Sequence, residues 1–212
     1  MFQSSKVVDA FGALRQGEVP SDVDFDSVYS YPVQRLSEQH WTPVAVAFVA
    51  AKLLVRDKES RVLDVGSGAG KFCHVGATVT PARFYGIDQS NFLVEEAQSI
   101  CQLKGITNAE FTLGNALDLD WRQFDAVYLF NPFFENIGPS SRLDRAAELD
   151  SKIFMESVAT VENKLREMPA GTRVVTYYGF GGKMPVGYKP YFKSPYRGDY
   201  LRAWVKIAAE EK

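Results

Sequence analysis

The chain has 212 residues, with 24 Lys and Arg against 26 Asp and Glu for a net charge of −2, and 46% of its residues are hydrophobic and 13% aromatic. That composition buries a sizeable core in one domain and excludes disordered and fibrous classes. The longest apolar stretch, Val44 to Ala51 before Lys52, falls short of the roughly 18 residues of a membrane-spanning helix, and the near-neutral balance argues against a grip on long nucleic acid through many phosphates.

The opening Met1-Phe2-Gln3-Ser4-Ser5-Lys6 lacks the apolar core of a signal peptide, and Cys73 and Cys101 fall inside predicted helices. A reduced, cytoplasmic setting is the expectation. Between Glu18 and Tyr31 the acids Glu18, Asp22, Asp24 and Asp26 mix with Pro20, Phe25, Tyr29 and Tyr31. This is too acidic for a core element and too aromatic for a free tail, so residues 1–42 read as an arm lying on a core of residues 43–212. At His40-Trp41-Thr42-Pro43, Thr42 suits a helix N-cap and Pro43 the first helical position, starting a helix that runs to about Arg56.

From Arg61 onward strands and helices alternate, the pattern of a mainly parallel sheet covered on both faces. The sequence predicts strands at Arg61–Val65, Arg83–Ile87, Ala109–Leu113, Asp125–Phe130 and Thr172–Tyr178. Helices are predicted from Lys71 to about Val79 and from a Ser90 cap to Lys104-Gly105. A long third helix follows a Ser141/Asp144 capping box, with Leu143, Ala146, Ile153, Phe154, Val158, Val161, Leu165 and Met168 on one stripe. The Gly-, Pro- and Tyr-rich remainder fits a loop and an antiparallel return strand near Tyr200–Ile207. The sum is a doubly wound α/β domain with an antiparallel C-terminal edge.

Asp64-Val65-Gly66-Ser67-Gly68-Ala69-Gly70 places a glycine-rich turn between a buried strand and a helix. Glycines there let a ligand lie against the main chain, and the helix N-terminus supplies N–H groups. A phosphate-cradling P-loop would need Gly at 65 and Ser or Thr at 72, where Val65 and Phe72 stand. A dinucleotide fingerprint would need Gly where Lys71 stands. The pattern acid-x-Gly-x-Gly-x-Gly does fit.

In this motif the chain resembles the class I S-adenosylmethionine-dependent methyltransferases, from about Arg61 to Tyr178. The resemblance implies a Rossmann-like fold in which Asp64, Gly66, Ser67, Gly68 and Gly70 hold the methionine part of S-adenosylmethionine. It implies that Asp88, followed by Gln89 at the end of the second strand, bonds the ribose hydroxyls. It implies that Asn115 and Ala116, where the family usually has Asp at the first position, face adenine. Independently of the family, Asp88 stands 18 residues beyond Gly70, near the ~20-residue spacing at which the second strand end faces a ribose.

Phe130-Asn131-Pro132-Phe133-Phe134 resembles the Asn-Pro-Pro-Tyr segment of methyltransferases that modify nitrogen on planar groups. The resemblance implies that Asn131 and Pro132 accept hydrogen bonds from the target nitrogen while Phe134 stacks on its plane, with Asn131 also beside the cofactor. Phe133 replaces the second proline, and Phe134 lacks a hydroxyl. The alternative is that Asn131 caps a turn and the two phenylalanines are core or lid residues. Tyr29, Tyr31 and Trp41 offer a cation-friendly wall from the arm, His40 is a general-base candidate beside a helix-capping alternative, and His74 reads as structural. No metal constellation stands out.

Lys183, Lys189, Lys193, Arg197, Arg202 and Lys206 interleave with Tyr188, Tyr191, Phe192, Tyr196, Tyr200 and Trp204 against the single acid Asp199. This is either a patch for RNA or an acidic protein, or, as favoured, a half-buried hairpin with aromatics inward and bases outward. The expected activity is methyl transfer to a nitrogen, with oxygen second, on a small molecule or protein side chain, nucleic acid being the less favoured partner. The alternative is a cofactor-binding regulatory module without catalysis; a nicotinamide oxidoreductase stands third. Oligomeric state is not legible.

Overall fold

The strand runs Arg61–Val65 (β1) and Ala126–Phe130 (β4) are buried at nearly every position because both faces of the sheet are covered, as parallel sheets require. A computed structural model of the chain describes residues 9–35, 41–132 and 151–208. Within them, β1, β4, Arg83–Asp88 (β2), Ala109–Leu113 (β3) and Arg173–Tyr177 (β5) run parallel. Tyr188–Tyr196 (β6) and Asp199–Lys206 (β7) form an antiparallel hairpin on β5. The seven-stranded order is β3-β2-β1-β4-β5-β7-β6, so the winding reverses between β1 and β4. A ligand crevice belongs at the carboxyl ends of the strands at such a reversal.

Two core clusters lie on opposite faces. On one, Val62, Phe84, Tyr128, Val175 and Ala203 meet Val44–Leu54 (α4), Lys71–Val79 (α5) and Asn91–Lys104 (α6). On the other, Leu63, Val65, Val127, Leu129 and Val174 meet Ser151–Glu167 (α7) and the short turns Ala116–Asp118 and Trp121–Gln123. The arm folds into Ala10–Arg15 (α1), Asp22–Asp26 (α2) and Tyr31–Gln34 (α3), seating Phe11, Leu14, Phe25, Tyr29 and Val33 in the first cluster.

Among the described residues, no helix is long and apolar enough to cross a membrane. Two expectations need correction. Thr42 does not cap α4: Pro43 holds the N-cap position, and the Val44 N–H is bound instead by the Asp22 carboxylate at 2.7 Å, from an element 22 residues away. The segment before β7 is not all loop, since β6 tolerates Pro190 and Pro195 by being the sheet edge, with a register shift between Pro190 and Phe192. The capping box and the first part of the predicted long helix lie outside the described residues.

Candidate functional site

The turn after β1 is built on three left-handed glycines, Gly66 (φ 73°), Gly68 (φ 54°) and Gly70 (φ 82°). Gly70 is the α5 N-cap and has no room for a side chain: a Cβ there would sit 2.4 Å from the Phe111 ring and 3.0 Å from Ala97. A Cβ on Gly68 would meet nothing within 4 Å, so at this point the backbone faces open space. The Gly66 and Ser67 N–H groups both donate to the Ile87 carbonyl at 3.0 Å, tying the turn to the end of β2. Ser67 Oγ is buried without a hydrogen-bond partner among the described residues, and a Cβ on Gly86 would lie 2.7 Å from it.

Asp88 closes the second side of the turn. Its Oδ2 accepts from the Gly68 N–H at 2.8 Å and its Oδ1 from the Ser90 N–H at 2.9 Å, which fixes the carboxylate plane beside the glycines. Gln89 next to it is exposed. After β3, Asn115 Oδ1 accepts from the Leu117 N–H at 3.0 Å, which spends the amide oxygen on the short turn. The carbonyl of Ala116 is likewise taken by Trp121 Nε1–H at 2.8 Å. Sequence reasoning placed Asn115 and Ala116 near this edge without foreseeing that their oxygens shape the turn.

Beside the glycines lies an open cleft lined by Trp41, Thr42, Asp64, Gly66–Ala69, Lys71, Phe72, Tyr128 and Phe130. Phe72 stacks on Tyr128 with centroids 4.0 Å apart, and the Tyr128 hydroxyl hydrogen-bonds Thr42 Oγ1 at 2.9 Å. Of the expected aromatic wall, Trp41 lines the cleft, Tyr29 is buried behind it at 4.7 Å, and Tyr31 is exposed. His40 lies outside the described residues.

The residue that sequence reasoning missed is Lys71. Its ammonium is buried and pairs with Asp22 at 2.9 Å and Asp26 at 2.7 Å, both from α2 of the arm. Asp22 also accepts from the Val44 N–H and pairs with Arg197 at 3.3 Å, so one carboxylate joins α2, α4, α5 and the β6–β7 turn. Burial pushes the Asp22 carboxyl up, but the Val44 N–H and Lys71 outweigh it, and the net shift is downward.

At the end of β4, Phe130 lines the cleft and Asn131 follows in a left-handed conformation, φ 38°, with its N–H donating to the Gly179 carbonyl at 2.8 Å. Asn tolerates this region better than most residues. Pro132 is pressed on the glycine turn: a Cβ on Gly66 would lie 3.4 Å from Pro132 Cβ and 3.6 Å from its carbonyl oxygen. Pro132 therefore stands against the turn, with Asn131 tied to Gly179 just before it; Phe134 lies outside the described residues.

Two buried titratable groups belong to this region, Asp64 in the cleft lining and His74. Asp64 is pushed up to about 7 by burial, with the Asp88 charge adding to the rise and the Cys73 thiol, donating to its Oδ2 at 3.5 Å, opposing it. His74 is lowered to about 4 by burial. Its imidazole hydrogen-bonds the Tyr29 hydroxyl at 2.9 Å and the Ala97 carbonyl at 3.0 Å, which suits a neutral ring with Nε2–H donating to Ala97. It is a structural histidine, as the sequence suggests.

The fold, the order of strands and the glycine turn at their reversal define a Rossmann-like class I methyltransferase. The methyltransferase-domain family model matches residues 56–172, and the chain belongs to that family; it is an S-adenosylmethionine-dependent methyltransferase. An RNA methyltransferase from Salinibacter ruber, crystallised with S-adenosyl-L-homocysteine, is similar at 21% identity and TM-score 0.59, over 81% of this chain and 97% of that one. TrmN from Thermus thermophilus is similar at 14% identity and TM-score 0.58, over 82% of this chain but only 52% of that one. MtNAS, in complex with MTA and tNA, is similar at 12% identity and TM-score 0.54, over 95% of this chain and 70% of that one. At such identities the likeness establishes the fold. No curated protein sequence matches the chain.

Proposed function

We propose that the chain transfers a methyl group from S-adenosylmethionine, bound over Gly66–Gly70 and Asp88, to a nitrogen presented at Asn131 and Pro132. The observation that carries this reading is the contact of Pro132 with Gly66, which puts a hydrogen-bonding segment directly against the glycine turn. The residues fit the cofactor: open space over Gly68 accepts a ligand, the fixed Asp88 carboxylate suits a pair of hydroxyls, and Trp41 and Phe130 offer aromatic faces to a cation. When bound, the cofactor supplies an electrophilic methyl on sulfur, which the nitrogen lone pair takes as the carbon–sulfur bond breaks.

The chain's own part is positioning and desolvation. Gly66, Ser67, Gly68 and Gly70 shape the seat, with Asp64 beneath it, and Asp88 and Gln89 serve the ribose side. Asn115 and Ala116 serve the adenine side: Asn115 keeps its amide NH₂ as a donor, and Ala116 offers main chain. The Asn131 side chain and the Pro132 carbonyl orient the nitrogen, and Phe134 stacks on the acceptor. Residues 1–42 act as an arm over the cofactor side, with Trp41 as its lining residue.

The test is methyl transfer from tritiated S-adenosylmethionine into amines, nucleosides, RNA and protein, followed by Asn131→Ala on the acceptor found. We expect turnover to fall by roughly 100-fold, the size of a misplaced reacting group, with S-adenosylhomocysteine affinity within threefold. Cofactor binding with no transfer to any acceptor would instead favour a regulatory module, and full activity in Asn131→Ala would remove this segment from the mechanism.

A further inference from the structure

The basic and aromatic residues near the C-terminus separate into two sets. At the lower end of the hairpin they finish helices: the Arg173 guanidinium and the Tyr191 hydroxyl donate to the Leu53 carbonyl at the end of α4, at 3.0 and 2.8 Å. The Lys206 ammonium and the Tyr188 hydroxyl donate to the Leu165 carbonyl in the last turn of α7, at 3.2 and 2.9 Å. These residues satisfy carbonyls that a helix end leaves open.

The upper set has no such duty. Lys193 pairs with Arg202 across the hairpin and Pro195 with Tyr200, so Lys193, Tyr200 and Arg202 share one face of the sheet. Both cations lie over the Tyr200 ring, Lys193 Nζ 4.1 Å and the Arg202 guanidinium 5.2 Å from its centroid. Tyr177 pairs with Leu201, which brings Tyr178 and Tyr200 to the same edge of the sheet. Both rings are open to solvent, 45% and 38% exposed. Tyr178 neighbours a cleft residue: its ring lies 5.9 Å from that of Phe130, which lines the cleft.

Backbone strain marks the same place. The positive-φ residues other than glycine, among the described residues, are Asn131, Tyr178 (57°) and Arg197 (41°). They are joined to one another: Asn131 donates to the Gly179 carbonyl, and the Tyr178 hydroxyl donates to the Arg197 carbonyl at 2.9 Å. Residues held in sparsely populated backbone regions cluster at ligand clamps; Arg197 owes its positive φ to the two-residue Arg197-Gly198 hairpin turn, which leaves Asn131 and Tyr178 as the two that no such turn explains. Among the described residues, the acids at this edge include Asp199, which accepts from the Tyr200 N–H, and Asp22, which is engaged by Lys71 and Arg197.

We propose that Tyr178, Tyr200, Lys193 and Arg202 form a docking strip for single-stranded RNA, leading an unpaired base over Tyr178 to Asn131. The proposal rests on the methyl-transfer reading above and names its substrate class. An exposed ring beside two cations on one face, with a second exposed ring past the end of β5, is what a flexible strand needs, stacking for bases and charge for phosphates. Two cations do not open a duplex, so the strand must already present unpaired bases, as RNA loops do. The near-neutral total charge does not oppose this, because the positive charge is local and the arm's Asp22 and Asp26 are already paired with Lys71.

The test is fluorescence anisotropy of a labelled 12-nucleotide single-stranded RNA with the full chain saturated in S-adenosylhomocysteine. We expect Tyr178→Ala to weaken binding by about 10-fold, within the range of one stacked base. Lys193→Ala with Arg202→Ala should lower the slope of log affinity against log salt by about 1.4, two phosphates' worth on a single strand. Lys58→Ala, on an exposed residue before β1, should change neither. Equal affinity for duplex DNA, full competition by poly-glutamate, or binding unmoved by both upper-set variants would overturn the proposal. Calorimetric binding of S-adenosylhomocysteine by the same samples separates the two failures: cofactor bound without RNA sinks the docking strip alone, and cofactor not bound sinks the methyl-transfer reading beneath it.

Discussion

Replacing Lys71 by Met removes a cation whose side chain is only 5% exposed from between Asp22 and Asp26, themselves 23% and 9% exposed. Breaking a buried pair by deleting one partner costs ~3–5 kcal/mol, because a charge is left in poor solvent. Asp22 keeps the Val44 N–H and Arg197, while Asp26, the more deeply buried of the two, loses the cation at 2.7 Å. The cost has a ceiling, since a stranded carboxylate can take up a proton. At pH 7 protonating an ordinary carboxyl costs about 4 kcal/mol. We therefore expect Lys71→Met to lose about 3 kcal/mol at pH 7 in urea unfolding, and to recover most of it when Asp26→Asn is added or when the pH is lowered to about 4. A single variant within 1 kcal/mol of the parent, or one equally destabilised at both pH values, would refute the buried-charge account of the arm.

The glycines of the turn separate stability from binding. Gly70→Ala drives a Cβ into Phe111 at 2.4 Å and should lower the melting temperature strongly, whereas Gly68→Ala meets nothing within 4 Å and should cost only its positive φ. Gly68→Ala should nevertheless lose S-adenosylhomocysteine affinity by 10-fold or more in calorimetry, because its methyl occupies the open side of the turn; unchanged affinity would move the ligand elsewhere. The pH dependence has two opposed parts. His74 is held at about 4, so its contribution is complete above ~6.5 and is lost as pH falls towards 4, about 3 kcal/mol in all. Asp64 is held at about 7, so its contribution is complete below ~4 and is lost as pH rises through 7. Between pH 4 and 6.5 they offset each other, so Asp64→Asn should make stability rise more steeply with pH than in the parent, and His74→Gln should make it fall; slopes unaltered in both would contradict these assignments.

What the sequence made legible is what local pattern encodes. Lys71–Val79 and Ala109–Leu113 fall where periodicity puts them, because one face of each is apolar and a glycine or proline bounds it. The glycine turn and Asp88 were readable for the same reason: their conformation and spacing are properties of a short stretch of chain. The Lys71–Asp22–Asp26 cluster was not, since its partners are 49 residues apart and Asp22 sits in a segment that reads only as acidic. Thr42 illustrates the limit of local chemistry: its residue type suits a cap, but Tyr128, 86 residues on, takes its hydroxyl and Asp22 takes over the cap. β6 was hidden by its prolines, which only an edge position permits. The division of the C-terminal cations into helix-finishing and unassigned sets depends on which strand face each occupies, and that is set by a hairpin register that composition does not carry.

The most direct measurement is calorimetric titration of S-adenosylhomocysteine into the parent chain and into Asp88→Ala, with NAD as the control ligand. Asp88 holds the Gly68 N–H and in the proposed binding mode bonds the ribose hydroxyls, and a hydrogen bond to a charged group is worth ~1.5–3 kcal/mol. The account predicts micromolar binding by the parent, at least 10-fold weaker binding by the variant, and no binding of NAD. A folded parent that binds NAD and not S-adenosylhomocysteine, or an Asp88→Ala variant that binds as tightly as the parent, would contradict it.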